Sequence, residues 1–63
     1  MKVKIKSFNG ELPEYLTLEK EYKIEELGDD GFGCYIVDDD GEVIFTTIHN
    51  TNHLNGGSWD VVE

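Results

Sequence analysis

The chain contains no arginine. Five lysines face fourteen acidic residues, giving a formal net charge of −9 over 63 residues. That balance repels nucleic acid and anionic membrane surfaces and attracts basic protein surfaces. Direct nucleic-acid binding and membrane association are therefore not expected. Cys34 is the only cysteine, which excludes a disulfide-stapled scaffold and fits a reducing cytoplasm. Pro13 is the only proline, so regular structure is interrupted by proline at one point alone. No apolar run approaches the ~20 residues of a membrane-spanning helix. The start, Met1-Lys2-Val3-Lys4-Ile5-Lys6, carries charge at every second residue and is unlike a signal peptide. At this length one domain over residues 1–63 and one small core are expected. A chain near this size buries only about 60 % of the surface its unfolded form exposes.

The apolar residues come in short runs, which argues for a folded domain rather than an acidic disordered tail. Residues 2–8 alternate, with Val3 and Ile5 on one face and Lys2, Lys4 and Lys6 on the other. That pattern predicts a half-buried strand, and outward lysines on an exposed edge discourage pairing with another chain. Asn9-Gly10 is a turn, and residues 11–16 form an irregular loop carrying Leu12, Tyr15 and Leu16. Residues 18–27 are good helix formers, but a helix would have a poor apolar stripe. The alternation of Tyr22 and Ile24 with Lys23 and Glu25 favours a turn at Glu19-Lys20 and a strand over residues 21–27. Gly28-Asp29-Asp30-Gly31 is a loop, which Gly33 extends or converts to a bulge.

Residues 34–37 and 42–48 flank Asp38-Asp39-Asp40-Gly41 and predict a hairpin. A three-residue loop puts Gly41 at the left-handed position, which glycine adopts without steric penalty. That register pairs Val37 with Val43 and Tyr35 with Phe45 on one face, and Ile36 with Ile44 on the other; a slip of one residue would exchange the faces. Residues 49–58 read as a polar loop whose one apolar residue is Leu54, and Ser58-Trp59-Asp60-Val61-Val62 is a last strand. Five short strands without a convincing helix predict an all-β fold, a small five-stranded barrel.

The stretch Tyr15-Leu16-Thr17-Leu18-Glu19-Lys20-Glu21-Tyr22-Lys23-Ile24 resembles the "Y-L-T-x-G-K-x-Y-x-V" stretch of small proteins encoded by bacteriophages and prophages. Asp39-Asp40-Gly41-Glu42 and Trp59-Asp60-Val61-Val62 are similar to that family's next recurring pieces. The resemblance covers about residues 15–62, with gaps. It implies a Src-homology-3-like (SH3-like) barrel with a diverging turn at Thr17-Leu18-Glu19-Lys20-Glu21. Glu19 departs from the pattern, which usually has glycine there. The family carries little assigned biochemistry, so the resemblance bears on the fold more than on the function. The "A-L-Y-D-Y" signature, paired tryptophans and "P-x-x-Y" of polyproline binders are all missing. Tyr15, Tyr22 and Tyr35 are accordingly expected as packed residues with surface hydroxyls.

The residues that carry chemistry elsewhere are sparse. His49 and His53 are four apart, a zinc spacing only on a helix, and their segment is turn-forming. A metal-dependent or metal-binding protein using His49, His53 and Cys34 is the weakest alternative. A calcium loop built on Gly41 would put Ile36 and Thr47 at ligand positions, and both fail. Cys34, between apolar neighbours, reads as a small core residue. Ser58 and His53 lack a triad context, and the glycines at 28, 31 and 33 precede a strand rather than a helix. No enzyme activity and no cofactor are expected.

What remains is acid: Glu25, Glu26, Asp29, Asp30, Asp38, Asp39, Asp40 and Glu42. Solubility needs a net charge of only about −4 in a small domain. The excess costs stability through self-repulsion, which a basic partner would relieve. The expectation is a non-catalytic, cytoplasmic interaction module. Its acidic face would engage the basic surface of a host protein, and the family resemblance implies a phage or prophage origin. Mimicry of nucleic acid, with carboxylates standing in for phosphates, is the sharper alternative.

Overall fold

The computed structural model describes residues 1–28 and 31–62. Five antiparallel strands form one sheet: β1 (Lys2–Ser7), β2 (Glu21–Leu27), β3 (Gly33–Val37), β4 (Val43–Thr47) and β5 (Ser58–Val62). Their order across the sheet is β4-β3-β2-β1-β5. β1 therefore lies inside the sheet, paired with β2 and β5. Its lysines do not guard an edge, as the sequence pattern implied; they project from one face, as the alternation of buried Val3 and Ile5 requires.

The β3–β4 hairpin has the expected register, with Tyr35 opposite Phe45, Ile36 opposite Ile44 and Val37 opposite Val43. The Asp38 amide donates to the Glu42 carbonyl at 2.9 Å, closing a three-residue loop. Gly41 sits in it at φ 82°, a conformation that costs a side chain about 1–2 kcal/mol. Glu19, in the turn before β2, has φ 73°. Glu19 stands where the resembling stretch has glycine, and its left-handed backbone is strained for a residue with a side chain.

Two features bend the sheet. Between Ile24 and Glu26 the β2–β3 register shifts by one residue, a bulge at Glu25. A second shift in β1, between Ile5 and Ser7, falls opposite Trp59 and Ser58. Gly33, expected as loop or bulge, is instead the first residue of β3. The bending brings the outer strands close: the Trp59 amide donates to the Ile48 carbonyl at 2.9 Å. The sheet is nevertheless not closed by a ladder between β4 and β5.

Val3, Ile5, Leu16, Tyr22, Cys34, Ile36, Leu54 and Trp59 form the core, with Leu12, Tyr15, Ile24, Ile44 and Ile48 packed against it. Leu54 belongs to a short 3-10 turn (Asn52–Leu54) inside the stretch expected as polar loop; its side chain is wholly buried. At the centre, Thr46 Oγ1 accepts from Trp59 Nε1 at 2.9 Å and lies 2.7 Å from Thr51 Oγ1. All three residues are buried, so each polar group gains a partner as it loses water.

Candidate functional site

The three aspartates of the hairpin tip have different surroundings. Asp38 is buried, and its Oδ1 accepts from the amides of Asp40 and Glu42, both at 2.9 Å. An aspartate at the first position of a turn satisfies the turn's own donors in this way. The Asp39 carboxylate turns toward the loop before β2. Oδ2 accepts from the Thr17 hydroxyl at 2.6 Å, and Oδ1 from Lys20 Nζ at 2.6 Å and the Tyr22 hydroxyl at 3.0 Å. The Asp39 amide donates to the Tyr15 carbonyl at 3.0 Å. The Tyr22 hydroxyl in turn accepts from the Thr17 amide at 2.6 Å.

The Lys20 hydrogen bond, followed by the Thr17 hydroxyl, holds the Asp39 carboxyl below the usual carboxylate range. The same hydrogen bond to Asp39 raises Lys20. Burial pushes the Tyr22 phenol up. Tyr22 was expected to reach the surface with its hydroxyl; it is instead a core residue, its ring edge-on to Trp59 at 5.9 Å. The aspartate tip is thereby pinned to the turn before β2.

Four of the expected binding acids face solvent. Glu25 and Glu26 lie on β2, and Asp40 and Glu42 at the hairpin tip; all are exposed. Their side chains make no hydrogen bond or ion pair with a described residue. Asp29 and Asp30 lie outside the described residues. Asp38 and Asp39 use their carboxylates inside the fold.

The metal alternative can be placed as well. His53 joins two elements: its Nδ1 is 2.8 Å from the Tyr15 hydroxyl and its Nε2 is 2.9 Å from the Phe45 carbonyl. The carbonyl can only accept, so Nε2 carries a proton, and in the neutral ring Nδ1 accepts from Tyr15. A metal would have to displace one of these bonds. His49 is exposed, whereas Cys34 is fully buried and its thiol is pushed up by desolvation, which disfavours the thiolate that a metal or a reaction needs. Among the described residues no three His, Cys, Asp or Glu side chains group as metal ligands.

On the outer face of β3–β4, Tyr35 and Phe45 stack edge to face at 5.1 Å, and both remain exposed, at 38 % and 46 %. Val43, on the same face, is 59 % exposed. Phe45 lies across Gly33, where an added Cβ would fall 2.3 Å from the ring. Glu26 is opposite Tyr35 across β2–β3 and so shares this face. The unbroken apolar runs Cys34-Tyr35-Ile36-Val37 and Val43-Ile44-Phe45 are the signal that could have revealed it: successive side chains point to opposite faces, so one of the hairpin's two apolar faces must look outward. No family model, curated protein or solved structure matches the chain. Among the described residues, no helix is long and apolar enough to cross a membrane.

Proposed function

We propose that this protein is a non-catalytic, acidic interaction module that binds a basic protein surface. The observation that carries this reading is the set of exposed carboxylates of Glu25, Glu26, Asp40 and Glu42, which the fold leaves unengaged. These acids flank a hairpin whose other two aspartates hold it in place. In the architecture we favour, a small SH3-like barrel, the bulges in β1 and β2 and the contact between Trp59 and Ile48 support near-closure of the sheet. The left-handed Glu19 supports the likeness to the phage and prophage proteins. On that likeness the partner is a bacterial host protein met in the host cytoplasm. Mimicry of nucleic acid has less support at the tip, since only Asp40 and Glu42 of the tip acids present free carboxylates.

The test is retention of bacterial proteins on the immobilised chain. Basic proteins are expected to be held at low salt and released as salt screens the contact. The variant Glu25→Gln/Glu26→Gln/Asp40→Asn/Glu42→Gln should retain much less. Equal retention by this variant, or none by the native chain, would overturn the reading.

A further inference from the structure

We infer that the outer face of β3–β4 is the docking surface for this partner, and that it takes an arginine-bearing segment stacked on Tyr35 and Phe45. The inference rests on the interaction-module reading above and adds the place and the recognition chemistry. The two rings, with Val43, form an exposed apolar face on regular, paired strands, so their positions are held by backbone rather than by a loop. Phe45 is further fixed by lying over Gly33. A side chain at that position would have to lift the ring, so the sequence keeps a flat aromatic platform there.

Charge selects the occupant. Glu26 shares the face beside Tyr35, while Glu42 adjoins Val43 and Asp40 lies at the tip. Lys23 is also exposed on β2, Lys20 is already paired with Asp39, and β1 carries the other three lysines, beyond β2 from the aromatic pair. A second copy of this chain would bring another −9 to the contact, which repulsion disfavours. Nucleic acid is disfavoured for the same reason. A basic segment gains both ways: its charge meets the acids, and its cation meets the ring faces. Arginine fits better than lysine, because its planar, weakly hydrated guanidinium stacks on an aromatic ring and can also pair with a carboxylate.

Octa-arginine and octa-lysine, titrated separately at about 150 mM salt, test this, since long-range charge attraction is then largely screened. Octa-arginine is expected to bind more tightly, by about two- to fivefold for each stacked guanidinium. Phe45→Leu keeps an apolar cover over Gly33 but removes the ring, and Tyr35→Ser removes its neighbour. Each should weaken octa-arginine about two- to fivefold and shrink the preference over octa-lysine, and the two together should erase it, with folding checked by the fluorescence of buried Trp59. Equal binding of both peptides, unmoved by these variants but weakened by Glu26→Gln/Asp40→Asn/Glu42→Gln, would overturn the aromatic surface and leave acidic binding standing. Binding of neither peptide would overturn both. A chain that sediments as a dimer, and as a monomer once Phe45 is replaced, would show that a second copy occupies the face and overturn the inference.

Discussion

The β3–β4 hairpin has two apolar faces with different surroundings. Inward, Cys34, Ile36 and Thr46 lose nearly all contact with solvent. There Thr46 holds the indole of Trp59, and the hairpin tip is tied down through Asp38 and Asp39. Outward, Tyr35 packs on Phe45 and Phe45 on Gly33, and these two rings and Val43 keep a third or more of their surface exposed. Alternate residues of the same two strands thus divide the work. The inner set excludes water and stabilises the sheet, whereas the outer set leaves apolar area in water, the face proposed above for docking. The acids divide in the same way, with Asp38 and Asp39 internal and Glu26, Asp40 and Glu42 external.

Breaking the inner face should have the largest effect. Trp59→Ala removes the largest buried side chain and should cost about 3–5 kcal/mol. That is comparable with the whole stability expected of a chain this size, at roughly 0.05–0.15 kcal/mol per residue. Urea unfolding followed by circular dichroism should show little or no native baseline. Thr46→Val is close in shape but strands the Trp59 Nε1–H and the Thr51 hydroxyl, a loss of about 1–3 kcal/mol. The midpoint should fall with little change in slope. By contrast, Phe45→Leu on the outer face should forfeit mainly the edge-to-face pair with Tyr35, about 0.5–1.5 kcal/mol.

A smaller change sharpens the comparison from outside both faces. Glu19→Gly relieves the left-handed strain at φ 73° and should raise stability by up to about 1 kcal/mol, leaving peptide binding as it was. The pH profile should show the mildest effect. The Asp39 pKa is depressed, so its contribution is present above the unfolded carboxylate pKa, about 4, and is lost as pH falls through the lower folded value. The Lys20 pKa is raised. Its contribution is present below the unfolded lysine pKa, about 10.4, and is lost as pH rises through the higher folded value. Solvent screens this pair. In Asp39→Asn the acid-side loss of the thermal midpoint should be shallower than in the native chain.

The sequence was most legible where local rules act. Two runs rich in β-branched and aromatic residues with Gly41 between them were enough for the hairpin and its register, because three-residue turns leave few pairings open. β2 was recoverable from the alternation of Tyr22 and Ile24 with Lys23 and Glu25, despite its helix-forming composition. The inward turn of Asp39 was not legible, because it depends on Thr17, Lys20 and Tyr22 meeting the tip across the fold. Asp38 was more accessible, since an aspartate at the start of a turn commonly bonds the amide two residues on. Leu54 looked like a stray apolar residue in a polar loop, and only the 3-10 turn makes it a core plug. Interior placement of β1 followed from its pairing with β5, a contact between chain ends that no local pattern encodes. Of the candidate surface, the exposed acids were readable from composition. The aromatic platform required knowing which hairpin face the core would take.

The most direct test of the division between the two faces is a map of backbone and side-chain chemical shifts during titration with octa-arginine. The account predicts that Tyr35, Phe45, Val43 and Glu26 move together while Cys34, Ile36 and Thr46 stay in place. Shifts confined to the acidic tip, with the Tyr35 and Phe45 rings unmoved, would contradict it.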